Sequence, residues 1–560
     1  MPTPYDPPVR DIAFALDVVG AGAVGDQDTM VELVAEFGRF CAEVVAPLNQ
    51  PGDVAGVRFD GATGAVTTAP GWKDAYAKYV AAGWNSVSFR TEFGGGGFPW
   101  LVTTAMQEEL NAASVAFALC PMLTQGGVHL LQRYGTAEQQ DRYLPALTSG
   151  ECTGSMILTE PGAGSDVGAL VTRADPAVDG TYRVTGQKIF ITYGEHDLTE
   201  QIVHVVLARL PDAPAGTKGI SCFLIPKVLP DGTRNAVRCI GIEHKMGIHA
   251  SPTCTMQFDG AVAELIGPPH GGMAAMFTMM NNARLSVGVE GLGVATRAYQ
   301  GAVAYAKERV QGRVAGGAPG SPIIEHPDVR RMVLHMRSHI EAMRLLAYRT
   351  ALATDQGDAA LADLLTPLTK AWCTDTGAEV ARLATQVVGG MGFIRETGIE
   401  QHERDVRITA IYEGTNGVQA IDLVGRKLNA DGGRAVAALL AEVRATAGEV
   451  GGPSGRHLAA AADAGEQASD WLRTAWSKHQ RDALAGATPY LRLLAVTVGG
   501  WLLARQALAS RPLAGSDMFF AAKEVSARYF LEQVVPHATG LLPAITAGAT
   551  DLDLLPAEVF

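Results

Sequence analysis

The chain predicts an α+β fold: a helical domain, a β domain, a second helical domain and a further helical region after it. Three observations carry this reading. Apolar residues recur at helical spacing up to about residue 150, short β-rich runs broken by Gly, Pro and Asp follow Cys152, and helical spacing returns near Gly271. The expected divisions are 1–151, 152–270, 271–429 and 430–560, and ligand clefts favour such domain junctions.

The first helical zone is read from "TMVELVAEFGRFCAEVVAPL" and "TAMQEELNAASVAFAL", whose apolar positions line one helix face. Between them, "EFGGGGFPW" (Glu92 to Trp100) lacks the lysine of a P-loop and the spacing of a dinucleotide fingerprint, so a flexible surface turn is expected. In the β zone, "TYRVTGQKIFIT", "IVHVVLARL", "GISCFLIPKV" and "TCTMQFDGAV" alternate or run apolar between turn residues, which predicts a small barrel or sandwich. The third zone contains "VRRMVLHMRSHIEAMRLLAYRTALA". The fourth is Ala-rich and opens with the linker-like "NADGGRA" and "EVGGPSGR". No internal repeat is visible.

Composition narrows the function classes. Hydrophobic residues make up 47% of the 560 and charged residues 18%, so large cores can form. The formal charge of −13 argues against non-specific nucleic-acid binding, which needs a basic surface, while leaving room for a local anion pocket. The seven cysteines (Cys41, Cys120, Cys152, Cys222, Cys239, Cys254, Cys373) form no CxxC pair and read as small buried hydrophobes in a reducing compartment. The start "MPTPYDPPVRDIAF" has no secretory pattern, and the apolar run between Arg492 and Arg505 is too short to span a bilayer. A cytoplasmic location, no membrane span and no metal site are therefore expected.

Five motifs invite a chemical reading. In "MILTEPGAGSDVGAL" (Met156 to Leu170), Gly162 and Gly164 let backbone approach a ligand closely, and Thr159 and Ser165 add hydroxyls. In "GQKIFIT", Phe190 and Thr192 fall on one side of a strand, although an ordinary strand reads the same way. Arg309 in "AYAKERVQGR" is either a solvated helix end or an arginine for pyrophosphate. "TQVVGGMGFIRE", with Gln386 and Gly390, is either a Gly-terminated helix or a ligand loop. Glu413 in "IYEGT" is either a helix-capping acid or a functional carboxylate.

Together and in this order, TEPGAGSD, GQKIFIT, KERVQG, QVVGGMGF and IYEGT resemble the acyl-CoA dehydrogenase family over roughly residues 80–428. "ITYGEHD", "LARLPDAPAGTKGISCFLIPK" and "IEHKMGIHASPTC", with the extra C-terminal zone, resemble the branch of 3-methylmercaptopropionyl-CoA dehydrogenase and the large bacterial fatty-acyl-CoA dehydrogenases. The resemblance implies an N-terminal helical domain, a middle β-barrel or sandwich, a C-terminal four-helix bundle and an additional helical domain. It also implies FAD as cofactor, a homodimer or dimer of dimers, and electron-transferring flavoprotein as electron acceptor.

Carried over to matching positions, the resemblance places Met156, Leu158, Thr159 and Ser165 along the flavin, with Ser165 also near CoA. Phe190 and Thr192 match positions stacked on and bonded to the flavin, though many members carry Trp where Phe190 stands. Arg309, His326 in "IIEHPDV", Gln386 and Gly390 match contacts to the FAD pyrophosphate and adenine, and Thr415 joins the cofactor set. Asn281 and Arg284 in "MMNNARLSVG", with Ser165 and Gly414, match the acyl-CoA side. Glu413 matches the base that takes the substrate α-proton while the β-hydride passes to flavin N5, giving a trans-2-enoyl-CoA. A carboxylate in a dry pocket gains strength as a base. The backbone N–H of Glu413 and a flavin ribityl hydroxyl would hold the thioester oxygen, and Gly414 would leave room for both neighbours.

Two positions depart from the family pattern. Asn416 and Gly417 follow EGT where many members have Ser or Ala and then Gln, so a Gln contact to FAD is missing or replaced. His249 stands where many carry Arg, and a structural role is expected for it. Straight-chain acyl-CoAs and 3-methylmercaptopropionyl-CoA are both compatible substrates. An acyl-CoA oxidase on the same fold, or a non-catalytic DNA-binding relative, are the alternative readings.

Overall fold

The computed structural model describes residues 3–559. In the first zone the chain forms α1 (Val9–Val19), α2 (Gln27–Phe40), α3 (Ala46–Ala55), the short strands β1 (Arg58–Phe59) and β2 (Val66–Thr67), α4 (Trp72–Ala81), α5 (Trp100–Tyr134) and α6 (Ala137–Ser149). Strands β3 (Thr153–Ile157), β4 (Arg173–Pro176), β5 (Tyr182–Thr192), β6 (Ile202–Arg209), β7 (Ile220–Pro226), β8 (Val237–Ile242) and β9 (Thr253–Ile266) follow. Helices then return as α7 (Gly272–Glu308), α8 (Pro327–Asp355), α9 (Ala359–Val388), α10 (Ile399–Val406) and α11 (Asn416–Asp422). Beyond a helical turn, α12 (Leu428–Ala430), lie α13 (Arg434–Val450), α14 (Gly452–Lys478), α15 (Gln480–Ala485), α16 (Ala487–Ser510) and α17 (Met518–Gln533).

Contacts divide the chain into two compact units. One comprises Met1–Glu36, Trp100–Ala112 and Val287–Phe560, the other Phe37–Pro99 and Ala113–Ser286.

The second unit is built on a seven-stranded mixed sheet ordered β3-β6-β4-β5-β9-β7, with β8 added on β9. Because β7 also pairs with β6, strands β6, β4, β5, β9 and β7 close into a ring, so of the expected barrel or sandwich the barrel forms. Its interior is filled by Val184, Val206, Phe223, Ile225, Met256 and Phe258. Strands β6 and β7 are buried almost throughout, which explains why both read as continuous apolar runs rather than alternating ones. The ladder between β5 and β9 is interrupted between Lys188 and Ile191, where Phe190 takes a left-handed φ of 60°. This β-bulge turns the Phe190 ring outward.

The tetraglycine segment is a surface turn, but it is not loose. The Gly95 and Gly96 amides donate to Arg90 and Ser86, and those of Gly97 and Phe98 to Phe89 and Val87. A Cβ on Gly95 would sit 2.1 Å from the Phe89 carbonyl oxygen, so the glycines serve close backbone packing.

In the first unit, α8 and α9 pack together and α16 lies against both. Gly499 of α16 permits this approach, since a Cβ there would already touch Trp372 and Ala342. Buried charges lock the helices. Glu108 of α5 accepts from Arg344 Nε at 3.0 Å and from the Tyr348 hydroxyl at 2.8 Å, and Glu341 accepts from Arg337, Gln506 and Lys523. Such pairs are costly to break, because the survivor stays charged in a dry place.

α5 and the segment Ala487–Leu513 are long and apolar enough to cross a bilayer, which the short run seen in sequence did not suggest. Their most apolar windows are 94% and 83% buried inside the protein, as core helices are. All seven cysteines are buried, as expected, and none is in a disulfide among the described residues.

Candidate active site

In the turn between Ile411 and Asn416 the backbone departs from what its residues prefer. Glu413 adopts a left-handed φ of 56° and Gly414 follows at 86°. For glutamate this conformation costs about 1–2 kcal/mol, so neighbouring contacts must hold it. They do so on both sides. Before it, the Tyr412 hydroxyl donates to Glu290 of α7. After it, the Thr415 hydroxyl accepts from the Val418 amide at 3.2 Å and caps α11. The cap of α11 is therefore Thr415 and not Glu413.

Asn416 explains the departure noted after EGT. Its amide nitrogen donates to Ala371 O, Thr374 Oγ1 and Asp375 Oδ1 of α9 at 2.8–3.2 Å, and its oxygen accepts from Lys370 Nζ at 3.0 Å. The residue ties the start of α11 to α9. One turn on, buried Gln419 donates to the Gly414 carbonyl at 3.1 Å, bracing the turn from within.

The same unit holds Arg309, His326, Gln386 and Gly390. Arg309 is exposed and donates to the Gln311 side chain at 3.3 Å, while His326 Nε2 lies 3.0 Å from the Gln311 carbonyl oxygen. Gln311, which sequence reasoning passed over, therefore links these two. Gln386 lies in the last turn of α9 and Gly390 just past its end, both exposed.

The other unit holds Met156, Leu158, Thr159, Ser165, Phe190, Thr192, Asn281 and Arg284. Met156 is buried in β3, Leu158 and Thr159 are half-buried, and Ser165 is exposed on the loop. The two motifs here are joined by an ion pair that sequence reasoning missed. Lys188 Nζ lies 2.9 Å from Glu160 Oε1, with the side chains 0% and 3% exposed. Lys188 also donates to the carbonyls of Leu158 and Leu207, and Glu160 accepts from the Val171 and Thr172 amides. Burial opposes ionisation of Glu160, but the Lys188 ammonium and these donors hold its carboxyl below the usual range. Loss of water brings Lys188 down to about 8, against the pull of Glu160. A third tie, from the Ile189 amide to the Thr159 carbonyl at 3.0 Å, completes the junction. The available signal was an acid in TEPG and a base in GQKIF, each set within apolar surroundings.

What this junction presents outward is flat and open. The Phe190 ring is 58% exposed, and Thr192 follows on the same strand. A Cβ placed on Gly162 or Gly164 would meet nothing within 4 Å, and the same holds for Gly389 and Gly390 in the other unit. An exposed aromatic face with hydroxyls and bare backbone beside it suits a planar, phosphate-bearing group such as FAD. On α7, Arg284 Nη1 donates to Asn281 Oδ1 at 3.4 Å, and its guanidinium lies 5.8 Å from the Phe277 ring centre.

His249 has the expected structural role. It lies 2.8 Å from Asp53 Oδ1 through Nδ1 and 2.8 Å from the Lys245 carbonyl through Nε2.

With this geometry described, comparison with known proteins defines the class. The chain matches the acyl-CoA dehydrogenase N-terminal domain over residues 27–151, the middle domain over 155–261 and the C-terminal domain over 270–428. Residues 439–555 match an acetyl-CoA dehydrogenase C-terminal-like domain. The chain belongs to the acyl-CoA dehydrogenase family and is a FAD-dependent oxidoreductase. It is 42% identical to the 3-methylmercaptopropionyl-CoA dehydrogenase of Ruegeria pomeroyi, covering 97% of this chain and 98% of that one. It is 32% identical to a broad-specificity linear acyl-CoA dehydrogenase of Mycobacterium tuberculosis, covering 99% and 100%. Its fold matches an acyl-CoA dehydrogenase complexed with FAD from Bacillus anthracis, with a TM-score of 0.76 at 20% identity over 95% of this chain and 89% of that one.

Proposed function

We propose that the protein desaturates an acyl-CoA thioester between its α and β carbons, with Glu413 as the base. The observation that carries this reading is the strained left-handed Glu413, fixed by Tyr412 and Asn416 while Thr415 performs the capping. Strain retained in an acid beside a turn whose helix is capped by Thr415 points to function. The Glu413 carboxylate takes the α-proton, and the Glu413 backbone N–H donates to the thioester oxygen as negative charge gathers there. Gly414, without a Cβ and at positive φ, lets the substrate approach the turn. Bound FAD supplies the hydride acceptor. Phe190, Thr192, Thr159 and Ser165 would hold its ring side, and Arg309, His326, Gln386 and Gly390 its phosphate and adenine side.

The acyl group is a straight chain or the sulfur-bearing 3-methylmercaptopropionyl group, the two chemistries named for the relatives above. Electrons pass on to an electron-transferring flavoprotein. The exposed Met391, Phe393 and Ile394 fit burial against a second copy, which favours a homodimer. A panel of acyl-CoAs with an artificial electron acceptor tests the substrate assignment. Turnover should be greatest for a straight-chain or 3-methylmercaptopropionyl thioester. A preference for branched or aromatic acyl groups would overturn it.

A further inference from the structure

Behind the base turn lies a second carboxyl group that the mechanism above does not use. Glu290 sits on α7 with 1% of its surface exposed. One of its oxygens accepts from the Tyr412 hydroxyl, and the other, Oε1, has no protein partner among the described residues. The groups facing it are Tyr412 and Glu413 from the turn and Lys370 from α9, while Asp405 of α10 faces Tyr412. A buried acid one residue's reach from a strained base is an expensive arrangement unless it serves that base.

We propose that Glu290 is a positioning residue for Glu413, holding the Tyr412 hydroxyl so that the adjoining backbone stays left-handed, and setting by its own protonation the charge beside the base. This rests on the assignment of Glu413 as the base. Burial pushes the Glu290 carboxyl up to about 8, the Tyr412 hydrogen bond and Lys370 pull it down, and the negative charge of Glu413 pushes it up further. Near neutrality Glu290 therefore carries its proton, and no second negative charge competes with Glu413. Above that point Glu290 ionises and raises the proton affinity of Glu413, making it a stronger base.

The consequences have definite signs. Under anaerobic mixing of the FAD-loaded protein with an acyl-CoA it turns over, the rate of flavin bleaching should rise roughly two- to fivefold through an inflection near the Glu290 value. Glu290→Gln is neutral and can still accept from Tyr412, so its rate near pH 7 should stay within about threefold of the parent while the inflection disappears. Tyr412→Phe removes a bond that favours the ionised carboxylate, so the inflection should move to higher pH. An inflection that survives in Glu290→Gln, or is missing from the parent, would overturn the proposal.

A second readout does not depend on catalysis. The folded protein keeps the Glu290 proton up to about 8, whereas the unfolded chain releases it near the ordinary value of 4.5. Its contribution to stability is therefore full below 4.5 and is lost as pH rises toward 8. The melting temperature of the parent should fall relative to Glu290→Gln as pH is raised across that interval. An unchanged difference would overturn the proposal. If no acyl-CoA bleaches the flavin, the functional reading fails, and the melting comparison still decides whether Glu290 holds its proton.

Discussion

Glu413 shows what a single residue reveals when its backbone and its neighbours are read together. An acid before Gly-Thr at a helix start suits capping, and composition alone favours that reading. The structure gives the cap to Thr415 and leaves Glu413 at a φ of 56°. A purely structural residue there would be better as glycine, which enters the left-handed region freely. Glu413→Gly should therefore keep its unfolding free energy within about 1 kcal/mol of the parent while abolishing turnover. Chemical denaturation beside an acyl-CoA assay checks this. A loss beyond about 2 kcal/mol would return Glu413 to a structural role.

At the scale of elements, the junction of the TEPGAGSD loop with β5 is the informative one. The Lys188–Glu160 pair is buried, so removing one partner leaves an uncompensated charge. Lys188→Met should cost about 3–5 kcal/mol in denaturant unfolding and lower FAD retention on gel filtration. The double variant with Glu160→Gln should recover part of that loss, and no recovery would mean the two residues act independently. The sequence made the motifs legible as strings and the strands β5, β6, β7 and β9 legible as periodic runs. It did not disclose the pair, because the contact depends on how the loop folds back beside the bulge at Phe190. Strands β3, β4 and β8 also escaped notice. They are only 4–6 residues long, so their alternation covers too few positions to register.

At the scale of the whole molecule, what sequence conveyed best was order: helical, β, helical, and a further helical region. Closure of the barrel through β6 and β7 was expected in kind, since short strands with regular turns must bury their edges somehow. Long-range locks were not legible. Glu108 meets Arg344 across 236 positions, and Lys523 meets Glu341 across 182. No local pattern links such residues, because only the packed helices bring them together. The same limit hid Glu290, which sits within an apolar stretch of α7 and gains meaning only from Tyr412, 122 positions away.

The central claim is that Glu413 removes a proton from an acyl-CoA held against FAD. Anaerobic stopped-flow mixing of the FAD-loaded protein with a straight-chain or 3-methylmercaptopropionyl-CoA tests it most directly, run beside Glu413→Gln. The parent should bleach its flavin absorbance, and Glu413→Gln should bind both FAD and acyl-CoA yet bleach at least about 10³-fold more slowly. Bleaching by Glu413→Gln at a rate near that of the parent would contradict the account.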